Sequence, residues 1–417
     1  MMTKINKFSD EKILIKLLPS GVKCYIIPKK GFVEKHAAVC VRCGSADVLY
    51  EKNGERQEIP PGTAHFLEHK MFEDENMNVI EEFSRLGCEV NAFTSFNSTA
   101  YHFSCANNFE KGFGLLLDFV TTPYFTDENI EAEKGIIKQE IDMYDDDPNW
   151  IVYFQMLCAM YKNHTVSRNI AGTRESVQKI TKDNLCNLYN DFYKPSNIAV
   201  ICVGDVDLEF VFNSVSEQFS SCSRNAGNVK RFYNSDEGKI KSSYAKREMG
   251  VAKPKFYIGY KDFVSDYPSH KKIVAMKMAV DIIAGESGEL YNKMYDMNLI
   301  DKNFSFDYMC GTDYGHSIFG GTSESCEKVS EMIYSHIEKL KIHGIDRFET
   351  VKKKNIGRFA RLFNYTNSIS NVQVDCFVKN FDIIDLFSAY QNVTEKDIAE
   401  CLNESFDKKS RVISLVV

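Results

Sequence analysis

The sequence predicts an α+β protein built from two similar halves, each an antiparallel-rich sheet packed with helices. Three observations carry that reading. Short β-branched runs alternate with longer stretches of helical periodicity. A polar Gly/Ser/Asn-rich stretch interrupts the chain near its middle, and a comparable order of elements follows it. At 417 residues the chain is also too long for one compact core. The expected organisation is a first domain over 1–222, a linker over 223–246 and a second domain over 247–417.

The first half opens on two strands, KILIKLL and VKCYIIP, around a turn at Pro19-Ser20-Gly21. HAAVCVRCGS is a third strand. Gly62-Thr63 opens a helix for which Thr63 is the capping candidate. NVIEEFSRLG is a second helix, with Gly87 placed to end it. CEVNAFTSFNSTAYHFSCA alternates and turns at Asn97-Ser98, the pattern of a hairpin. Helices NFEKGFGLLLDFVT and TDENIEAEKGIIKQEIDMYD follow; helix TKDNLCNLYNDFY, strand NIAVICVGDV and helix LEFVFNSVSEQF close this half. In the second half, strand KFYIGYK precedes helices HKKIVAMKMAVDIIAG and GELYNKMYDMNL. Strands FSFDYMC and GHSIFGGTS, long helices from Glu327 and a final strand RVISLVV complete it. No residue motif is shared between the halves.

Charge and composition exclude several classes. A net charge of −7 without a basic tract argues against a nucleic-acid partner. No apolar run suits a signal peptide, and no stretch of ~18 apolar residues suits a membrane span. Thirteen cysteines in such a chain read as reduced thiols in a cytoplasm. Cys40 and Cys43 form a C-x-x-C in a strand-like run with no second pair nearby, and read as buried, inert thiols. The paired glycines of GHSIFGGTSE lack the Lys-Ser/Thr of a phosphate loop and read as a bend. Trp150 reads as a packing residue.

The chemistry concentrates in PPGTAHFLEHKMFED. On a helix at ~100° per residue, His65 and His69 lie ~40° apart and Glu68 ~60° to the other side of His65, so all three project into one sector. Two imidazoles four apart can ligate one Zn²⁺, with the carboxylate beside them handling a water. This is the H-x-x-E-H order. The pentapeptide alone is equally compatible with ordinary helix residues. Further along, Glu133 and Glu140 lie seven apart, two turns along one helical face, with Gly135, Ile136, Ile137 and Ile141 around them. Carboxylates in an apolar surface call for a cation or hydrogen-bond donors. Asp145, Asp146 and Asp147 read instead as solvated. The seven other histidines, among them His36, His102 and His316, have no ligand spacing with one another.

Together, PGTAHFLEHKMF, NAFTSFNSTAYHF, EKGIIKQEIDMYDDDP, RNIAGTRESVQKIT and FYKPSNIAVICVGDV resemble the pitrilysin/insulinase family of zinc metallopeptidases, in its branch of short two-domain subunits. The resemblance implies that fold and a zinc endopeptidase. His65, His69 and Glu140 would be the zinc ligands, and Glu68 the general base. Glu133 would support the site from behind. Asn91 and Ala92 would offer a strand edge to the peptide substrate, which binds by strand addition. The catalytic domain would be 1–222, and 247–417 a similar domain without a metal site.

One departure matters. Family members use an Arg and a Tyr, seven apart in the second half, at the substrate carbonyl and the oxyanion; here those positions read as Tyr295 and Lys302. The resemblance therefore implies the zinc-bearing subunit of a heterodimer, rather than a homodimer, with a homologous partner supplying Arg and Tyr. The readings set against it are a non-catalytic scaffold subunit of the same fold and a non-peptidase zinc hydrolase. The intact His65, Glu68, His69, Glu140 set speaks against the first, the strand-edge hairpin against the second.

Overall fold

The β-branched runs of the first half become strands whose burial follows their place in the sheet. In chain order these are β1 Met2–Ile5, β2 Lys12–Leu17, β3 Lys23–Pro28, β4 Lys35–Val41, β5 Leu49–Lys52, β6 Glu55–Glu58, β7 Cys88–Thr94, β8 Thr99–Cys105, β9 Ile198–Gly204 and β10 Val229–Arg231. A computed structural model describes residues 1–6, 10–75, 77–220, 229–233, 239–264 and 266–417. Seven strands form one sheet in the order β1-β2-β3-β9-β4-β8-β7. β9, IAVICVG, is buried along its whole length because it lies at the centre with both faces covered. Edge strands β1 and β7 keep polar residues exposed.

The packing divides into two compact units. The first comprises residues 1–141, 169–232 and 360–385; the second comprises 142–168, 233–359 and 386–417. Both are discontinuous, so a boundary at residue 222 follows chain order and not packing. Of the expected linker, 223–228 and 234–238 lie outside the described residues; between and after them the chain forms β10 and β11, Tyr244–Arg247.

The second unit's sheet uses β11, β12 Lys255–Asp262, β13 Ser305–Gly311, β14 Tyr314–Thr322 and β15 Arg411–Val416, in the order β11-β15-β12-β14-β13. Its first strand runs parallel to its last and the remaining pairs are antiparallel. Five neighbouring strands of the first sheet, β3-β9-β4-β8-β7, repeat that connectivity and those directions. The two halves are therefore similar in topology although they share no residue motif.

The helices needed below are α1 Thr63–Lys70, α2 Val79–Arg85, α3 Phe109–Thr121, α4 Asp127–Asp146 and α5 Pro148–Met160. In the first unit, helix Thr366–Val378 packs on β9 and β4. The Arg42 guanidinium stacks 4.0 Å from the Phe377 ring and donates to the Phe377 carbonyl at 2.5 Å. Lys4 pairs with Asp382 at 2.6 Å and Asp385 at 2.7 Å. In the second unit α5 packs on β15 and β12, and the Val152 carbonyl accepts from Ser414 Oγ at 2.8 Å. Trp150 packs as expected, stacked on Tyr144 with centroids 4.2 Å apart.

Four local expectations change. Thr63 is the first helical residue rather than the cap: Gly62 holds that position at φ 93°, and Thr63 Oγ1 donates back to Pro60. A Cβ on Gly62 would lie 2.5 Å from the Ala171 carbonyl oxygen, so the close backbone crossing at the head of α1 requires glycine. Ile136 faces solvent at 56% exposure, because the buried stripe of α4 is Ile130, Glu133, Ile137 and Ile141. Asp147 caps α5 by accepting from the Asn149 amide. Gly320-Gly321 continue β14 rather than bend it, since Gly320 lies against the Tyr257 ring.

Two buried histidines couple this core to pH. Burial, with the nearby His102, lowers the His36 pKa from 6.5 to about 3; burial, with His164, does the same for His316. Below pH 6.5 the unfolded chain takes up protons that the folded chain refuses. Each histidine then removes about 1.4 kcal/mol of stability per pH unit, and the loss is complete near pH 3. Denaturant titrations at falling pH are expected to show this slope, and His36→Phe to flatten it by one histidine's share. Parallel slopes for variant and wild type would remove His36 from this role.

Candidate metal centre and active site

α1 is buried along almost its whole length, and His69 is its most accessible side chain, at 27%. The seat of α1 against the sheet turns His65, Glu68 and His69 to one side. α4 lies across from it and presents Glu133 and Glu140 two turns apart on one face. The structure thus brings together five residues from two separate segments of the chain, His65, Glu68 and His69 from one and Glu133 and Glu140 from the other.

The donor geometry is specific. His65 Nε2 is 3.6 Å from Glu140 Oε1, and His69 Nε2 is 3.6 Å from Glu140 Oε2. Those separations are too long for hydrogen bonds. Donors each ~2.1 Å from a tetrahedral ion lie roughly 3.4 Å apart, which is close to the spacing found. The donor atoms of His65, His69 and Glu140 all lie within 4.8 Å of one another, and no other such His/Cys/Asp/Glu group occurs among the described residues. Two imidazoles and a carboxylate suit Zn²⁺ and leave one coordination position free. The side chains of His69 and Glu140 are 27% and 21% exposed, so the donor set is reachable from solvent.

Glu133 supports this set. Its Oε1 accepts from His69 Nδ1 at 2.9 Å, which leaves the Nε2 lone pair directed at the site. His65 has no such support, since its buried Nδ1 has no hydrogen-bond partner. The two rings diverge electrostatically. Burial, reinforced by His69, lowers the His65 pKa to about 4 against the pull of Glu140 and Glu133. Burial also lowers that of His69, but the hydrogen bond and charge of Glu133, with Glu140 and Glu68, outweigh it and the pKa rises.

Glu68 is 7% exposed. Burial raises its pKa, partly offset by a hydrogen bond from Thr94 and by His69, and Glu140 raises it further. A carboxylate moved toward neutrality in this way suits proton transfer. Thr94 is a residue the sequence did not single out: its Oγ1 donates to Glu68 Oε2 at 2.5 Å, and it sits opposite Thr99 in the hairpin. The only local signal was its place on the alternating strand.

Asn91 and Ala92 lie on β7, at the outer end of the sheet. Asn91 is exposed, and the Ala92 amide donates to the Asn91 side chain at 2.8 Å, so the amide is held on the open edge. In the second unit, Tyr295 is 40% exposed on helix Glu289–Asp296 and stacks against Tyr291; Lys302 is exposed in the loop before β13. Cys40 and Cys43 are buried and free; burial raises the Cys40 pKa to about 12 and that of Cys43 well above the ordinary value.

Comparison with known proteins bears on this arrangement. The insulinase (peptidase family M16) model matches residues 35–174, and the M16 inactive-domain model matches residues 179–356. The chain is 33% identical over 415 residues to the uncharacterized zinc protease YmfH of Bacillus subtilis, covering 98% of this chain and 97% of that one. Among solved structures, an M16-like peptidase from Alicyclobacillus acidocaldarius matches with TM-score 0.93 and 32% identity, covering 98% of both chains. A protease from Helicobacter pylori shares the fold, with TM-score 0.84 at 20% identity over 98% of this chain and all of that one.

Proposed function

The chain belongs to the insulinase family of peptidases, family M16, and from that premise we propose that it is a zinc-dependent endopeptidase acting on peptides or flexible protein segments. The observation that supports this most is the convergence of His65, His69 and Glu140 at ligand spacing beside Glu68. In this reading His65 Nε2, His69 Nε2 and the Glu140 carboxylate hold the ion, and Glu133 fixes the His69 tautomer. When bound, zinc supplies Lewis-acid polarisation of the scissile carbonyl and acidifies water.

The chain's own groups do the rest. Glu68 accepts the proton of the attacking water and returns it to the leaving amine. Thr94 holds one Glu68 oxygen, leaving the other for that transfer. The free edge of β7 at Asn91 and Ala92 takes up the substrate backbone as an added strand, with the Ala92 amide exchanging its Asn91 side-chain acceptor for a substrate carbonyl. Main-chain pairing of this kind confers little sequence preference.

The family's Arg and Tyr are absent at Tyr295 and Lys302, so the proposal includes a homologous partner subunit that contributes them. The inactive-domain match over residues 179–356 is in keeping with a second half that lacks a metal site. A cytoplasmic setting is part of the same reading, supported by the free cysteines among the described residues.

Zinc content and cleavage of unstructured peptides, measured for the chain alone and mixed with a homologue that lacks the zinc motif, test this. About one zinc per chain and cleavage only in the mixture are expected. A chain that binds no zinc overturns the peptidase reading, and full cleavage by the chain alone removes the partner. Thr94→Val should cut kcat about 10-fold or more, the loss of a hydrogen bond to a charged group, with zinc retained and Thr94→Ser restoring the rate. Unchanged kcat in Thr94→Val would show that Glu68 needs no such support.

A further inference from the structure

Lys70 directly follows the second histidine of the motif, and its side chain is fully buried, at 0% exposure. Taking an ammonium out of water is costly unless it is paired, and an apolar residue of similar length fills core volume at lower cost. Packing alone therefore does not account for a lysine here.

The partners of Nζ suggest what its charge does. The Glu73 carboxylate makes the closest contact. The Asn129 carbonyl, in the first turn of α4, accepts at 3.2 Å, and Glu133 Oε2 lies 3.9 Å away. Glu133 Oε1 accepts from His69 Nδ1 at 2.9 Å. One buried carboxylate thus faces a buried cation with one oxygen and an imidazole with the other. α4 also carries Glu140, so the contact with Asn129 ties α1 to the helix that supplies the third donor.

We infer that Lys70 is a positioning residue for the metal centre. Its ammonium holds the second oxygen of Glu133 and the first turn of α4. This keeps Glu133 Oε1 on His69 Nδ1 and His69 Nε2 directed toward Glu140. Lys70 touches neither the metal nor the substrate; it acts through Glu133. The inference rests on the zinc reading above. The competing role for Lys70 is local: a partner for Glu73 and a favourable charge in the last turn of α1.

A double-mutant cycle read by zinc affinity separates the two. Wild type, Lys70→Met, Glu133→Gln and the double variant are titrated with zinc against a chromogenic chelator, with folding checked by circular dichroism. Loss of an outer partner of a metal-bound histidine typically costs about 10- to 100-fold in affinity. Lys70→Met is expected to lose about 10-fold, and nothing further once Glu133 is already glutamine. Glu73→Gln should stay close to wild type. Wild-type affinity in Lys70→Met overturns the inference, as does an equal loss in both Glu133 backgrounds. If Lys70→Met does not fold, Lys70→Gln keeps a hydrogen bond to Asn129, removes the charge and serves the same cycle. A wild-type chain without zinc affinity overturns instead the zinc reading itself.

Discussion

Glu68→Gln is expected to fold, to hold zinc at wild-type affinity and to lose peptide cleavage by about 100- to 10,000-fold, the usual contribution of a positioned general base. Glutamine preserves volume and still accepts the Thr94 hydroxyl at Glu68's position, so α1 and its contacts with β7 stay intact. What disappears is the carboxylate that takes a proton. Its burial beside Thr94 and Glu140 is the reason to expect a specific effect, since both the pKa and the direction of the group are set by neighbours rather than by solvent. Single-turnover cleavage in whichever assembly is active, with zinc measured on the same sample, provides the readout. Cleavage near the wild-type rate with zinc present would take Glu68 out of the reaction.

His69→Ala should act at the earlier step and abolish metal binding. The substitution removes one of three donors and also leaves Glu133 Oε1 without the imidazole it accepts from at 2.9 Å. Affinity is expected to fall by more than the ~10- to 100-fold that a lost outer hydrogen bond costs, because a ligand itself is gone. Activity should vanish in parallel and excess zinc should not restore it. The contrast with Glu68→Gln is informative: one variant keeps metal and loses turnover, the other loses both. If His69→Ala retained stoichiometric zinc, the ion would have to bind elsewhere, and the role of His65 and Glu140 would fall with it.

Much of the fold and of the candidate site was legible because it is written in short-range periodicity. Four-residue spacing puts His65 and His69 on one side of α1, and seven-residue spacing puts Glu133 and Glu140 on one side of α4. Alternation about Asn97-Ser98 marks the β7–β8 hairpin. Such patterns depend on the backbone repeat of a single element, and one element suffices to read them.

Contacts between elements were not legible. Nothing local says that β9 slots between β3 and β4, or that helix Thr366–Val378 belongs with the first sheet and α5 with the second. Both sheets have a face to cover, and any amphipathic helix of suitable length meets that need as far as periodicity goes. The hydrogen bond from Thr94 to Glu68 and the burial of Lys70 against Glu133 are of the same kind. A threonine on a strand and a lysine at a helix end are ordinary in sequence. By itself, then, the sequence marked most of the longer strands and helices and the shared faces of α1 and α4, but not the short strands β1, β5, β6, β10 and β11 or helix α5. The family resemblance implied that Glu140 joins His65 and His69; only the tertiary structure placed its oxygens 3.6 Å from each imidazole and decided which neighbours tune them. Ligand distances and buried charge depend on how distant segments pack, and local periodicity carries no term for that.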